Sequence, residues 1–168
     1  KYILTMIIVK KTGQLFFLDK KYKCALGYAG IKKNKKEGDG ATPSGIYSLI
    51  KIYYRKDKIK KIQSTLKKIV ITKKMIWCDD SNSRFYNTQS NLPKEFSYEK
   101  LYRKDNIYDI IVVINYNINP VKKNKGSAIF LHVAKRNYKP TKGCIALKKS
   151  DLLFILKNIT RKTKIKII

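Results

Sequence analysis

The stretch Tyr108 to Tyr116 most limits how this chain can fold, because Ile110, Ile111, Val112, Val113 and Ile114 follow one another without a polar break. Such β-branched runs suit a pleated strand. Side chains alternate between the two faces of a sheet, so apolar residues at successive positions need cover on both sides. The run therefore predicts a central strand in a sheet buried on both faces.

Other strands arrange themselves around it. Residues 2–9 and Gln14 to Leu18 read as a hairpin turned at Thr12-Gly13, and Tyr22 to Leu26 as a third strand with Cys24 as a small buried hydrophobe. A glycine-rich loop, Gly38-Asp39-Gly40-Ala41-Thr42-Pro43-Ser44-Gly45, feeds a strand from Ile46 to Tyr54. It lacks the Gly-Lys-Ser/Thr step into a helix that a phosphate-binding loop requires. Residues 57–68 read as an exposed basic connection or an irregular hairpin, and Lys68 to Thr72 as a strand. Trp77 to Asn87 is a polar-aromatic loop in which Asp79 and Asp80 form turns or pair with arginine. Asn91 to Arg103 is weakly patterned, with Pro93 opening a short helix. Pro120 to Gly126 is a basic turn, Ser127 to Ala134 a strand, and Lys164 to Ile168 a closing strand. Only one segment carries a helical stripe: Ser150 as N-cap, Asp151 in the first turn, then Leu152, Leu153, Ile155, Leu156 and Ile159. With no repeat and no linker, residues 1–168 predict one domain of the β-rich α+β class, its sheets packed into a sandwich-like core.

The net charge of +28 invites a nucleic-acid partner. Against it, arginine stands only at 55, 84, 103, 136 and 161, whereas reading base edges favours arginine. The lysines are spread along the chain among isoleucine, asparagine and tyrosine, all with AT-rich codons, so codon bias accounts for them and nucleic acid is disfavoured. Attraction to an anionic polymer such as a cell wall stays open. Residues 2–9 fall far short of the roughly 20 apolar residues of a membrane helix and lack a signal-peptide cleavage site. The sequence opens on Lys1, which is compatible with a leader upstream. Cys24, Cys78 and Cys144 are far apart and never in a C-x-x-C pair, so neither a disulfide framework nor a metal site is expected.

The chemistry concentrates in residues 130–147. His132 is the only histidine, and Cys144 follows it by twelve positions, directly after Gly143. A free cysteine with a pKa of about 8.5 is barely ionised near neutrality, and an imidazole that takes its proton makes it a nucleophile. The pattern predicts that a strand delivers His132, a loop turns at Pro140, and a Gly-Cys step into a helix brings thiol and base to one cleft. Backbone N–H groups around Gly143 and Cys144 would meet a developing oxyanion, one donor being worth about 3 kcal/mol. Residue types alone leave a second reading open, in which His132 is a satisfied strand histidine and Cys144 a buried small residue.

The wider pattern resembles the L,D-transpeptidase (YkuD-type) catalytic domain, whose signature is a strand histidine, a variable loop and Ser/Thr-His-Gly-Cys before apolar residues and a helix. Here the corresponding residues are His132, Thr141-Lys142-Gly143-Cys144-Ile145-Ala146-Leu147 and the segment from Ser150. The Gly-Asp-Gly-x-Thr-Pro-x-Gly segment at 38–45, the residues Trp77 to Asn87 and the pair Tyr116-Asn117 match further motifs of the family in order. The resemblance implies Cys144 as nucleophile, His132 as base, and the backbone N–H groups of Lys142, Gly143 and Cys144 as oxyanion hole. No cofactor is expected, and with a single histidine a metal would have to rest on scattered carboxylates, so none is expected either. The resemblance also implies peptidoglycan stem peptides as substrate and a place in the cell envelope or periplasm. The expected activity is a peptidoglycan L,D-transpeptidase working through a cysteine thioester, with an L,D-carboxypeptidase at the same site or a non-catalytic basic wall-binding or nucleic-acid-binding module as alternatives. Two positions depart from the pattern: Lys142 stands where a histidine is usual, and Ala146 where an arginine or asparagine is common.

Overall fold

The structure, a computed structural model, describes residues 5–168. The first strands among the described residues are β1 (Met6–Lys10), β2 (Gln14–Phe17) and β3 (Lys20–Ala25). Two short pieces, β4 (Ile31–Lys32) and β5 (Thr42–Pro43), bracket the glycine-rich loop, and the ten-residue β6 (Gly45–Tyr54) follows. Next come β7 (Lys67–Val70), β8 (Met75–Cys78), β9 (Gln89–Asn91) and β10 (Tyr98–Lys100). The last part holds β11 (Ile110–Ile114), β12 (Phe130–Val133), β13 (Ile145–Leu147), α1 (Lys149–Asn158) and β14 (Lys164–Ile167).

Nine strands form one sheet in the order β11-β12-β13-β3-β2-β1-β14-β6-β7. The length of β6 lets this sheet return on itself: Gly45 to Ser48 pair with β14, and Leu49 to Tyr54 reach β11. A three-stranded sheet, β10-β8-β9, and the β4–β5 pair complete the fold. The expected β-rich α+β class is therefore found, and its sandwich-like core is closed by a single main sheet.

All five residues of β11 are buried, and they divide between two cores. Ile110, Val112 and Ile114 face the larger cluster with Leu131, Ile145 and the α1 residues Leu152, Ile155 and Leu156. Ile111 and Val113 face a second cluster with Tyr53, Trp77, Leu101, Tyr108 and Phe130. The two-faced cover predicted from the sequence is thus supplied by a helix on one side and the small sheet on the other. Asp109, itself buried, ties the start of β11 to the helix by accepting from Lys149 (3.0 Å), and its other carboxylate oxygen forms an ion pair with Lys58 (3.2 Å).

Several local expectations change. Of the strand predicted at 2–9, positions 2–4 lie outside the described residues, and the strand runs to Lys10. The stretch 57–68 is not simply an exposed connection, because Ile59, Ile62 and Leu66 turn into the larger core between its lysines. No helix follows Pro93; residues 92–97 are an irregular connection between β9 and β10, which pair on either side of β8 through Ser90↔Ile76 and Glu99↔Trp77. Ser150 does not cap α1: the helix begins one residue earlier, where the Lys148 carbonyl accepts from the Leu152 N–H, and no side chain caps it. Asp79 and Asp80 act locally, accepting from the Ser97 hydroxyl and the Asn82 N–H. No helix among the described residues is long and apolar enough to cross a membrane.

Candidate active site

Strand register decides where the histidine and cysteine meet. Parallel β12 and β13 pair Leu131 with Ile145 and His132 with Ala146. Leu131, Val133, Ile145 and Leu147 point into the larger core, while Phe130 and Cys144 belong to the second cluster. Alternation therefore puts His132 and Cys144 on the same face of adjoining strands, with Cys144 two positions before Ala146, the register partner of His132. Cys144 leads into β13 and only then into α1, so the predicted step straight into a helix is replaced by a short strand.

The imidazole is oriented by its neighbour. His132 Nδ1 lies 2.9 Å from the Val133 carbonyl oxygen. A carbonyl only accepts, so Nδ1 carries the proton and Nε2 keeps its lone pair. The Tyr108 ring packs edge-on against the imidazole, centroids 5.4 Å apart, and the Tyr108 hydroxyl donates to Glu99 at 2.6 Å. Burial lowers the His132 pKa from 6.5 to about 4, so the ring is neutral at physiological pH.

Cys144 is also covered. Its thiol donates to the Ala128 carbonyl at 3.1 Å and accepts from the Phe130 N–H at 3.4 Å. Burial, with Glu99 adding to it, pushes the Cys144 thiol up to about 12. At rest the pair is thiol and imidazole, not thiolate and imidazolium. The open cleft expected from the sequence is absent at this point, where Cys144 and His132 are 8% and 5% exposed.

The turn before Cys144 is built by close backbone approach. Thr141 Oγ donates to the Cys144 carbonyl at 2.6 Å and accepts from the Gly143 N–H at 3.1 Å. Gly143 has φ +144°, and a Cβ there would lie 2.8 Å from the Ala41 carbonyl oxygen. The residues Gly27 to Gly30 run between this turn and the glycine-rich loop: Tyr28 N–H donates to Thr141, Ala29 N–H to Gly40, and Gly27 N–H to the Thr42 hydroxyl. The Gly-Asp-Gly-x-Thr-Pro segment is thus the bed on which the cysteine turn rests. Of the three predicted oxyanion donors, the Gly143 N–H is engaged by Thr141. No protein acceptor meets the N–H of Lys142 or Cys144 among the described residues. The Lys142 side chain is exposed and Ala146 is buried.

Sequence reasoning places Asn87 in a family motif but gives it no role; in the fold it joins these parts. Its Oδ1 accepts from Trp77 Nε1 (2.9 Å) and from the Ala128 N–H (3.0 Å). Its Nδ2 donates to the carbonyls of Tyr116 (3.2 Å) and Asn117 (2.7 Å). Ala128, whose carbonyl takes the thiol, is therefore held at its N–H by Asn87, and it sits at φ +53°. An asparagine at the end of a turn-rich loop is a signal for such a left-handed position, since asparagine adopts it more readily than most residues. Among the described residues, no group of three His, Cys, Asp or Glu side chains is placed to hold a metal ion.

Fold and site together define a β-rich domain with a thiol and an imidazole on adjoining parallel strands. The chain belongs to the L,D-transpeptidase catalytic domain (YkuD) family, whose model matches residues 5–167. Among solved structures it is similar to L,D-transpeptidase 1 of Mycobacterium tuberculosis, at 10% identity and a TM-score of 0.46, over 98% of this chain and 59% of that one. It is also similar to the helical cell shape determining protein Pgp2 of Campylobacter jejuni, at 15% identity and a TM-score of 0.47, over 97% of this chain and 46% of that one. The chain thus spans about half the length of these solved proteins, and the family assignment rests on the match over residues 5–167. No curated protein matches the sequence.

Proposed function

We propose that this domain is a peptidoglycan L,D-transpeptidase of the cell envelope, acting on tetrapeptide stems with Cys144 as nucleophile and His132 as base. The observation that carries the reading is the shared face of His132 and Cys144, with Nδ1 held by the Val133 carbonyl and Nε2 left to accept a proton. Because both groups are neutral at rest, the proton moves during attack, not before it. The thiol proton passes to His132 Nε2 as sulfur bonds to the carbonyl carbon of the third stem residue. The imidazolium then protonates the departing amine of the terminal D-alanine, the C–N bond breaks, and a thioester is left on Cys144. An acceptor amine on another stem attacks the thioester and restores the thiol. Water in its place makes the same site an L,D-carboxypeptidase.

The N–H groups of Lys142 and Cys144 are the donors available to the oxyanion, and the Gly143 N–H joins them when it leaves the Thr141 hydroxyl. Each such donor contributes about 3 kcal/mol to the transition state. The thiol must also leave the Ala128 carbonyl before substrate reaches it.

Incubation with a carbapenem followed by intact mass tests the nucleophile. A single adduct is expected on the native protein and none on Cys144→Ala; an adduct that persists in the variant would sink the assignment. Incubation with disaccharide-tetrapeptides then separates the two activities, since cross-linked dimers mark transpeptidation and tripeptides alone mark hydrolysis. A folded native protein that gives neither adduct nor product, yet binds sacculi in a salt-dependent way, would point to a basic wall-binding module instead.

A further inference from the structure

One buried charge has no part in the chemistry above. Lys35 is 3% exposed, although it lies in a run of otherwise solvent-facing lysines from Lys32 to Lys36. Lysine is almost never this buried without a reason to be. Its ammonium donates to Asp39 Oδ1 at 2.8 Å and to the Lys36 carbonyl at 3.3 Å, and its third N–H meets no protein acceptor among the described residues. Asp39 is itself fixed, accepting from the N–H groups of Lys36 and Ala41. Lys35 Nζ lies 3.5 Å from where a Cβ on Gly143 would stand, and its stem passes beside Gly126. Gly126 and Gly143 carry no side chain, and that absence is what lets the Lys35 stem and ammonium approach the backbone of the cysteine turn.

We propose that the Lys35 ammonium, held by Asp39 beneath the Gly143–Cys144 turn, is the positioning charge that stabilises the Cys144 thiolate as it forms. The inference rests on the reading of Cys144 as nucleophile and assigns the supporting charge to Lys35, not to Lys142. Lys142 is exposed, where its charge is screened. The charged and titratable groups around the thiol are Glu99 from β10, Tyr108 ahead of β11, His132 on β12, Lys142 in the turn and Lys35 below it. Glu99 opposes ionisation of the thiol and Lys35 favours it. Tyr108 is a phenol that can only be neutral or anionic, and burial raises its pKa further; burial lowers the pKa of His132 and keeps it neutral at physiological pH, so it offers no standing positive charge. A cation within a few ångströms typically shifts such a group by one unit or more, or about tenfold in thiolate fraction.

The test is the rate at which iodoacetamide alkylates Cys144 between pH 6 and 9, followed on the Cys144 peptide by mass spectrometry. In this range the rate is proportional to the thiolate fraction. Lys35→Met, similar in length and uncharged, should be alkylated about tenfold more slowly than the native protein. Loosened packing would expose the thiol and speed the reaction, so a purely structural role predicts the opposite sign. Lys35→Arg should restore the rate to within about threefold. Lys142→Ala should stay within about twofold, as expected of a screened surface charge. The native protein gives a measurement free of folding defects: raising salt from 0.1 to 1 M should leave its rate unchanged, because a buried ammonium is poorly screened. A Lys35→Met rate equal to or above native, or a native rate that falls severalfold in salt, would overturn the proposal. Since alkylation needs no peptidoglycan, it reports on Lys35 whether or not stem peptides prove to be the substrate.

Discussion

His132→Gln is expected to slow carbapenem acylation of Cys144 by two to four orders of magnitude, the usual contribution of a positioned general base. Glutamine keeps the polarity and much of the volume of the ring but has no basic nitrogen to take the thiol proton. The same variant should change the acid stability of the domain. The folded pKa of His132 is about 4 against an ordinary 6.5, because burial disfavours the imidazolium. Above pH 6.5 the ring is neutral in both states and has no effect on the folding balance. As pH falls below 6.5 the unfolded chain binds the proton first, so stability declines, and the decline from this group is complete near pH 4. The gap between those values corresponds to about 3 kcal/mol. Urea unfolding at pH 7 and pH 4 should therefore show a smaller loss in His132→Gln than in the native protein. An equal loss in both would mean that the histidine is hydrated in the folded state, and the neutral-pair mechanism would fail with it.

The acid limb of activity follows from the same shift. A base that stays unprotonated down to about pH 4 supports acylation in mildly acidic conditions, where an ordinary histidine would already be half charged at 6.5.

What the sequence disclosed and what it withheld divide along a physical line. Features carried by neighbours in the chain were legible. The unbroken apolar run of β11, the hairpin of β1 and β2, and the stripe of α1 each reflect a local period, and each is found. His132 and Cys144 stand out as candidates from residue types in one short segment and the family motif around them, and the fold sets them on one face of adjoining strands. Features made by distant contacts were not legible. Nothing in the Lys32 to Lys36 run distinguishes Lys35 until the fold sets Gly126 and Gly143 against it. The closing of the main sheet depends on β6 being long enough to change partners midway. The covered thiol follows from packing Tyr108 and Phe130 over the face that carries Cys144, which no local pattern records. Residues 57–68 were misjudged because counting lysines hides three apolar residues spaced to reach inward.

The clearest case of such a long-range contact leads to the second large effect, which concerns stability. Asn87→Ala should destabilise the domain by about 4 kcal/mol and lower the melting temperature by about 10 °C. Trp77 Nε1 and the Ala128 N–H would lose their acceptor, while the carbonyls of Tyr116 and Asn117 would lose their donor, all at a buried residue. A buried group left unpaired typically costs about 1–3 kcal/mol, and four groups sharing one partner relax together, so the sum is smaller than its parts. Alanine also tolerates φ +56° less well than asparagine, at about 1 kcal/mol. Asn87→Gly separates the two contributions, because glycine accepts that backbone but offers no amide. It should recover about 1 kcal/mol relative to alanine and leave the larger loss in place. Function should follow stability here for a specific reason. The Ala128 carbonyl is the resting partner of the Cys144 thiol, and Asn87 holds the other end of that residue. Once freed, Ala128 has no cause to stay at φ +53°, and the thiol loses its fixed position. Acylation by a carbapenem at a temperature where Asn87→Gly is fully folded should therefore be slower than native. A variant that unfolds within 1 kcal/mol of native in urea, or that acylates at the native rate, would show that Trp77, Ala128 and Tyr116 hold the cysteine turn without Asn87.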